Sequence, residues 1–300
     1  MPVAPGVMRI TLPLPFTTPD HIHCYLLDIE GWDGPLLVDT GMRGSEGALA
    51  SCLQDAGSPP AGVLVTHSHV DHWGLAATLT DEVYGHEALT ALLAMDLDSG
   101  VFGEHDQGVL SAETVATAFH LFRKMTVGQP RVRPVGDGDV LGEWRILWTP
   151  GHDPAHISLF RESDGVLISG DALLPDATPN IQPAAGREDS LADYMATLAR
   201  LSGLPVSLVL PSHGEPYIDH RGRAAELTAF HAKRLRTILH ELRDGPLAVG
   251  DLARTLFVVR ESAIDDMLAD METLAHLDNL RLKGLVLRRP DHRWCLPDHP

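Results

Sequence analysis

Four residues that can bind a metal ion fall within six positions of the stretch VTHSHVDHWG, residues 65–74: His67, His69, Asp71 and His72. In an extended segment, side chains two residues apart face the same side, so His67 and His69 can reach one ion. Asp71 and His72 follow where the chain would turn into a helix, and they can face a second ion. A polar surface turn would explain a single histidine, but four such residues after a buried apolar run favour metal binding. The cluster predicts two ions held close together.

Three later residues supply what a two-metal site would still lack: His152 in TPGHDPAH, Asp171 in ISGDALL and His213 in LPSHGEP. Each follows a small residue or a turn at the end of an apolar run, so its side chain can project from a sheet edge. Taken singly, each has a plain structural explanation, such as a capping aspartate or a turn histidine. Together they complete seven nitrogen and oxygen ligands without a thiolate, a set that suits zinc, manganese or iron.

The elements that must position these residues read as strands interspersed with helices. Residues 21–40 predict two strands around a Gly-Trp-Asp-Gly turn, and ALASCLQDAG predicts a helix that ends at Gly57. Apolar runs precede the histidine cluster and the three later ligands, and each run is long enough for a buried strand. This order predicts an α/β layered fold.

The pattern changes at about residue 220. From Arg221 onward the apolar residues recur at three- and four-residue spacing over three segments, and a strand-like pair, LVLRRPDHRWCLP, follows. Three helices and a hairpin are the order of a winged-helix module. We therefore expect a catalytic domain over residues 1–219 and a winged-helix-like domain over residues 220–300.

The charge of the chain is uneven. Residues 1–219 contain 10 basic and 29 acidic residues, a balance of −19, whereas residues 220–300 contain 13 and 12. Binding to long nucleic acid needs a basic surface, so the acidic part that carries the histidines disfavours this partner.

The sequence has no feature typical of export or of a membrane span. No apolar run approaches the roughly 20 residues that cross a bilayer, and the N-terminus lacks a basic segment followed by an apolar one. Cys24, Cys52 and Cys295 are scattered without CxxC spacing, which is typical of buried thiols in a reducing compartment. We expect a cytoplasmic protein with no membrane partner.

The stretch THSHVDH resembles the HxHxDH signature of the metallo-β-lactamase superfamily, in particular its hydroxyacylglutathione-hydrolase-like and lactamase-like branch, and the resemblance covers residues 8–219. It implies an αββα sandwich with the metals at one edge. The C-terminal segment resembles the winged-helix-like appendage of a branch that includes hydrolases and a ribonuclease. By the same resemblance, the first metal is held by His67, His69 and His152 and the second by Asp71, His72 and His213, with Asp171 bridging them.

The implied chemistry is hydrolysis. Two divalent ions, most readily zinc, roughly 3.5 to 4 Å apart would share a bridging hydroxide, and one of them would polarise the oxygen of the scissile bond. Asp71 would orient the hydroxide and pass its proton to the leaving group. The chain has no GxSxG motif, so a serine nucleophile is not expected. Members that reduce oxygen or oxidise persulfides differ in these ligands, which favours hydrolysis over redox chemistry.

The residues that select the substrate are expected in the segment 95–130, a predicted helical insertion between core strands. Its residues Phe119 and Phe122 would cover the metals as an apolar lid, or would pack on the sandwich and contact no substrate. His156 would contact substrate or support a ligand, and Tyr194 would reach a substrate oxygen or face the core.

Two functions remain open at this stage. The first is hydrolysis of a small ester-like bond, a thioester or a lactone, with the C-terminal domain serving packing or dimerisation. The alternative is a metal-dependent phosphodiesterase or endoribonuclease whose C-terminal domain binds nucleic acid. The second function requires one exposed basic face that points towards the metals, formed by Arg281, Lys283, Arg288, Arg289 and Arg293.

Overall fold

The computed structural model describes residues 1–94, 120–121, 123–258 and 262–298. Within them, two β-sheets pack face to face and helices cover both outer faces. The predicted α/β sandwich with a helical C-terminal region is confirmed. The predicted insertion 95–130, with Phe119 and Phe122, falls largely outside the described residues.

The first sheet contains seven strands among the described residues, and they lie in sequence order. Neighbours are antiparallel from β1 to β4 and parallel from β4 to β7. The parallel strands therefore end at one edge, where the histidine cluster begins. The strands are β1 Pro2–Ala4, β2 Val7–Pro13, β3 His21–Leu27, β4 Leu36–Val38, β5 Gly62–Leu64, β6 Val83–His86 and β7 Val132–Val135.

The second sheet has five strands in the described part of the chain, in the order β12-β11-β10-β9-β8. The pair that is latest in the sequence, β11 and β12, is parallel, which places the carboxyl ends of both strands at the same edge of the sheet. The strands are β8 Val140–Leu141, β9 Trp144–Trp148, β10 Ile157–Arg161, β11 Val166–Gly170 and β12 Leu208–Pro211.

Apolar side chains fill the space between the sheets. Leu36, Val38 and Leu64 of the first sheet pack in one buried cluster with Ile146 and Ile168 of the second. Residues of opposite alternation turn outward and meet the covering helices, as expected for strands buried on both faces. This packing fixes the two sheets relative to each other and so fixes the loops at their common edge.

In the described part of the chain, four helices follow strands of the first sheet, and two longer helices cover the second. On the first sheet α1 ends at Gly57, which adopts the left-handed conformation typical of a helix C-terminus, with φ +84°. On the second sheet α5 begins after Asp189, whose carboxylate accepts from the backbone N–H of Ala192. The helices are α1 Glu46–Ala56, α2 Val70–Trp73, α3 Ala76–Leu79, α4 Glu87–Ala94, α5 Ser190–Ser202 and α6 His220–Glu241.

The C-terminal region consists of α6, α7 Val249–Leu256, α8 Ala263–Leu282 and a hairpin of β13 Leu287–Arg288 and β14 Trp294–Cys295. The region has an apolar cluster of its own around Ile238, Leu277 and Trp294. It also packs on the sandwich, because Leu227 and Ala275 belong to the core beneath the second sheet. The helices and hairpin follow the expected order, and their assignment as a winged helix stays a prediction. None of the helices in the described ranges is long and apolar enough to cross a membrane.

Candidate metal centre

The histidine cluster lies where β5 ends and α2 begins. Val63 and Leu64 are fully buried β-strand residues, and the chain leaves the sheet directly after them. His69 precedes the first residue of α2, and Asp71 and His72 lie within that helix. The turn between strand and helix therefore separates the cluster into two pairs that face different directions.

The first group of ligand atoms comes from His67, His69, His152 and Asp171. Nδ1 of His69 lies 3.0 Å from Nε2 of His67 and 3.0 Å from Nε2 of His152. Oδ2 of Asp171 lies 3.6 Å from Nε2 of His152 and 4.0 Å from Nε2 of His67. Four donor atoms thus surround one point, the number that zinc prefers in proteins.

The second group comes from Asp71, His72 and His213. Oδ2 of Asp71 lies 3.5 Å from Nε2 of His72 and 3.5 Å from Nε2 of His213. Oδ1 of Asp171 lies 3.7 Å and 3.6 Å from the same two nitrogen atoms. The two oxygens of Asp171 therefore face different groups of histidines, as a bridging carboxylate must.

Asp171 is held in this position by His156. The backbone N–H of Asp171 donates to Nε2 of His156 at 3.0 Å, so the ring proton of His156 lies on Nδ1 and points to Oγ1 of Thr149 at 2.7 Å. Gly170 precedes Asp171 with φ +54°, and a Cβ atom there would lie 2.6 Å from Nε2 of His156. Only glycine allows this approach.

Each of three ligand histidines bonds an outer partner through Nδ1 and turns Nε2 towards the centre. The partners are Asp39 for His72 at 2.7 Å, the carbonyl oxygen of Asn180 for His152 at 2.7 Å and the carbonyl oxygen of His21 for His213 at 2.7 Å. A carbonyl oxygen can only accept, so Nδ1 of His152 and of His213 carries the proton and Nε2 has the free electron pair. This tautomer is the one that a metal ligand requires.

The charges of the centre also suit cations. Burial and the imidazole of His72 hold the pKa of His67 well below its ordinary value, and burial and His69 lower the pKa of His152 to about 4. Burial opposes ionisation of Asp171, but His213 and the other histidines hold its pKa well below the ordinary value. The first group therefore presents neutral imidazoles and an ionised carboxylate.

His72 differs from the other ligand histidines. Burial would lower its pKa, but the carboxylates of Asp71, Asp39 and Asp171 raise it to about 10. In the absence of an ion, the three carboxylates thus favour a proton on His72, and a bound cation would take the place of that positive charge.

Of the four substrate-binding residues proposed from the sequence, His156 and Tyr194 lie within the described residues. His156 is fully buried and supports Asp171, which matches the second of the two roles considered for it. Tyr194 is fully buried as well, and its hydroxyl donates to the carbonyl oxygen of Ala172 at 3.1 Å. Neither side chain is accessible to a substrate. Phe119 and Phe122 lie outside the described residues, so their contact with substrate stays a prediction.

Sequence reasoning missed Asp39. Its φ is +59°, and its carboxylate accepts from the backbone N–H of Thr66 at 2.8 Å besides bonding His72. The signal was present, because Asp39 directly follows the buried run Leu36–Val38 just as Asp171 follows β11. An acidic residue at the end of a buried strand is therefore itself a candidate site residue.

A second missed residue is Asp153, next to His152. Its carboxylate accepts from the hydroxyl of Ser68 and from the backbone N–H of Ala155. The bond to Ser68 ties the loop of the histidine cluster to the loop that carries His152. Such a contact between distant loops leaves no mark in local spacing.

A family model and a curated relative both match most of this chain. The family model described as metallo-beta-lactamase superfamily matches residues 17–213, a range that includes all seven ligand candidates. The probable metallo-hydrolase YqjP of Bacillus subtilis (strain 168) is 32% identical over 309 residues, with 93% of each chain covered.

Two solved structures match nearly the whole chain, and a third matches about three quarters of it. A metallo-beta-lactamase family protein from Thermus thermophilus is 33% identical with a TM-score of 0.84, and 98% of this chain and 99% of that chain are covered. A beta-lactamase domain protein from Burkholderia ambifaria is 31% identical with a TM-score of 0.84, covering 99% and 94%. A third protein, TTHA1623, solved in a di-iron-bound form, is 27% identical with a TM-score of 0.50 and covers 72% and 97%.

Proposed function

The chain belongs to the metallo-beta-lactamase superfamily, and on this basis we propose that it is a dinuclear metal-dependent hydrolase that cleaves a small ester-like bond, a thioester or a lactone. The observation that carries the proposal is the position of Asp171. Its Oδ2 faces His67 and His152, while its Oδ1 faces His72 and His213. A site for a single ion would need only one group of imidazoles around the Asp171 carboxylate, whereas two groups allow the carboxylate to bridge two ions.

The residues fit a pair of divalent cations. Nε2 of His72 and Oδ1 of Asp171 are buried and have no hydrogen-bond partner among the described residues. Unpartnered polar atoms are costly in a protein interior, and a cation between them removes that cost. The donors are nitrogen and oxygen only, a set that favours zinc and admits manganese or iron. The di-iron form of TTHA1623 is a precedent for two metals on this fold.

When bound, the two ions lower the pKa of a water molecule and polarise the carbonyl oxygen of the substrate. Among the residues of the centre, Asp71 and His69 are partly exposed, whereas His67 and His72 are fully buried. Substrate and water therefore approach from the side of Asp71. Oδ2 of Asp71 faces His72 and His213, so its other carboxylate oxygen is the one that can orient the attacking water, accept its proton and deliver that proton to the leaving group.

Charge and contacts support a small substrate rather than RNA. Arg281 is paired with Asp278 at 3.1 Å and Arg289 with Asp291 at 3.6 Å. Lys283 donates to the side chain of Asn279 at 2.7 Å. These three C-terminal cations are bonded to side chains close to them in the sequence, and residues 1–219 have a net charge of −19. A polyanion would meet repulsion near the metals.

The test combines metal analysis with turnover. We expect two zinc ions per chain after metal-replete purification, and hydrolysis of an acyl-CoA thioester or an acyl lactone that is lost on chelation and restored by zinc. Asp171→Asn should reduce both metal content and turnover. Fewer than two ions per chain would exclude the dinuclear centre, and faster cleavage of single-stranded RNA than of both acyl substrates would exclude the proposed bond class.

A further inference from the structure

Two hydrogen bonds in series join the C-terminal helices to the first group of ligands. Nδ1 of His152 donates to the carbonyl oxygen of Asn180 at 2.7 Å. The side-chain amide of the same Asn180 donates to Oε2 of Glu272, on α8, at 3.0 Å. Asn180 thus contacts a ligand histidine with its backbone and a C-terminal helix with its side chain.

We propose that Asn180 and Glu272 are positioning residues for His152, so that the C-terminal region takes part in metal binding at the first centre. Glu272 holds the side chain of Asn180, and Asn180 presents the carbonyl oxygen that orients the imidazole. The inference rests on the proposed function only in taking His152 as a metal ligand.

The position of Asn180 is not set by a strand or a helix. Residues 171–189 form turns and irregular chain between β11 and α5. The C-terminal helices provide several of the polar anchors of this segment: Arg223 of α6 donates to the carbonyl oxygens of Leu174 and Ala177, both at 2.7 Å. Asn279 of α8 donates to Asp189 at 2.8 Å. Since the segment takes its shape from these helices, the carbonyl of Asn180 does as well.

Glu272 is suited to act as a fixed anchor. Its side chain is buried, Oε1 pairs with Arg234 and Oε2 accepts from Asn180. Burial raises the pKa of Glu272 to about 7, against the opposing effect of the Arg234 guanidinium. A buried carboxylate with both oxygens engaged has one favoured orientation. Removing it leaves the Arg234 guanidinium without its carboxylate and leaves the Asn180 amide with only the longer bond to the carbonyl oxygen of Leu268, at 3.3 Å.

His231 and His276 brace the two helices beside Glu272. Nδ1 of His276 donates to the carbonyl oxygen of Glu272 at 2.7 Å, so Nε2 of His276 accepts from Nδ1 of His231, 3.1 Å away on α6. His231, Glu272 and His276 lie close enough to hold an ion of their own. We assign the cluster to support instead, because both carboxylate oxygens are engaged and the cation of Arg234 lies against it.

The experiment measures metal affinity, not turnover. In a His213→Ala background, which leaves the first centre to be titrated, Co(II) binding is measured by chelator competition and by visible absorption. We expect Asn180→Ala to weaken Co(II) binding about tenfold and to change the Co(II) spectrum, since loss of an outer support of a metal ligand costs about 10- to 100-fold. Asn180→Ala keeps the backbone carbonyl, so only its anchoring is lost.

Two further variants make the test specific. Glu272→Ala should weaken binding similarly, and the double variant should bind Co(II) no more weakly than the weaker-binding single variant, because both changes break the contact between Asn180 and Oε2 of Glu272. Asn279→Ala is the matched control: it removes another asparagine contact between α8 and the same segment, at Asp189 instead of at Asn180. Its affinity should fall clearly less than that of Asn180→Ala, since its contact lies at the C-terminal end of the segment, nine residues beyond Asn180.

The outcomes separate this inference from the proposed function. Unchanged Co(II) affinity in Asn180→Ala, or an equal loss in Asn279→Ala, would overturn the positioning role. So would a third bound ion that disappears in His276→Gln. If the anchoring variants behave as expected but no acyl substrate is hydrolysed, the positioning role stands and the proposed function fails. Circular dichroism of the metal-free variants ensures that folded chains are compared.

Discussion

Oδ2 of Asp39 lies 2.7 Å from Nδ1 of His72, although the two residues are 33 positions apart in the chain. Asp39 also accepts from the backbone N–H and the hydroxyl of Thr66, the residue that precedes His67. One buried carboxylate therefore orients a ligand of the second group and fixes the backbone next to the first. Its φ of +59° shows that the chain adopts an uncommon conformation to place it there.

Asp39→Asn should weaken the second metal site. Asparagine tolerates the positive φ, so the backbone is preserved. Its amide would donate to Nδ1 of His72 and drive the ring proton to Nε2, the atom that faces the ion. We expect the affinity for the second Co(II) ion to fall about 10- to 100-fold. Titration should then show one tight equivalent instead of two, while Asp55→Asn, an exposed aspartate on α1, should show two.

Asp71→Ala should abolish most turnover on every substrate that the protein hydrolyses. The side chain is a ligand candidate of the second group and the proposed carrier of the proton, so we expect kcat to fall by at least about 100-fold. The measurement is kcat for an acyl thioester and an acyl lactone, together with metal content. Asp81→Ala, an exposed aspartate before β6, should have no effect. Full turnover in Asp71→Ala on either substrate would contradict this assignment.

Gly151→Ala should destabilise the protein and release the first ion. A Cβ atom at Gly151 would lie 2.4 Å from Cα and 2.5 Å from the backbone N of Tyr194, and φ is +128°. Steric overlap with backbone cannot be relieved by a rotamer change, so we expect a loss of roughly 3 kcal/mol or more in the free energy of unfolding.

Gly245→Ala is the control for this loss, because its φ is +132° and nothing lies within 4 Å of the added Cβ. It should cost only the backbone strain, about 1 to 3 kcal/mol in this region of positive φ, and so less than Gly151→Ala, which adds steric overlap to the same strain. Urea denaturation of both variants measures the difference. Equal losses would show that the contact between Gly151 and Tyr194 is unimportant.

The metal-free protein should lose stability in acid partly through His231 and His276. Burial, His276 and Arg234 lower the pKa of His231 to about 3, and burial lowers that of His276 to about 4. The unfolded values are near 6.5, so the unfolded chain binds more protons below that pH, and stability falls as the pH drops from about 6.5 to 4.

Urea denaturation at several pH values tests this slope. His231→Gln should flatten it by up to about 1.4 kcal/mol per pH unit, the contribution of one proton, whereas His240→Gln, an exposed histidine on α6, should leave it unchanged. Both variants keep every metal-ligand candidate, so the difference between their slopes reports His231. A slope in His231→Gln equal to that of the wild type would contradict this explanation.

Most of the candidate site could be predicted from the sequence, because the ends of buried strands are recognisable from local sequence alone. A polar residue directly after a buried apolar run can be recognised without knowing the fold, and the structure gathers all seven residues chosen in this way. The helices at 46–56 and 220–241 were visible for a similar reason, since their apolar spacing is local. The N-terminal strands β1 and β2 were not proposed from the sequence.

The rest depends on contacts between distant segments. Tyr194 occupies an amphipathic helix, and spacing alone does not tell whether its face meets the core or the cleft; the close approach of Gly151 decides for the core. Asn180 was not proposed from the sequence, because its role depends on a backbone carbonyl and on Glu272, 92 positions later. Phe119 and Phe122 lie outside the described residues, so the lid stays a prediction.

Both groups of ligands draw on both sheets. His67, His69, Asp71 and His72 follow β5 of the first sheet, whereas His152, Asp171 and His213 follow β9, β11 and β12 of the second. Each ion would therefore act as a further cross-link between two layers that are otherwise joined by apolar packing and by hydrogen bonds such as that from the Tyr25 hydroxyl to the carbonyl oxygen of Pro211. Metal loading should then raise the unfolding temperature of the whole sandwich and not only order a loop. The catalytic ions would then also stabilise the fold, so the metal-free protein, which cannot catalyse hydrolysis, would unfold at the lowest temperature.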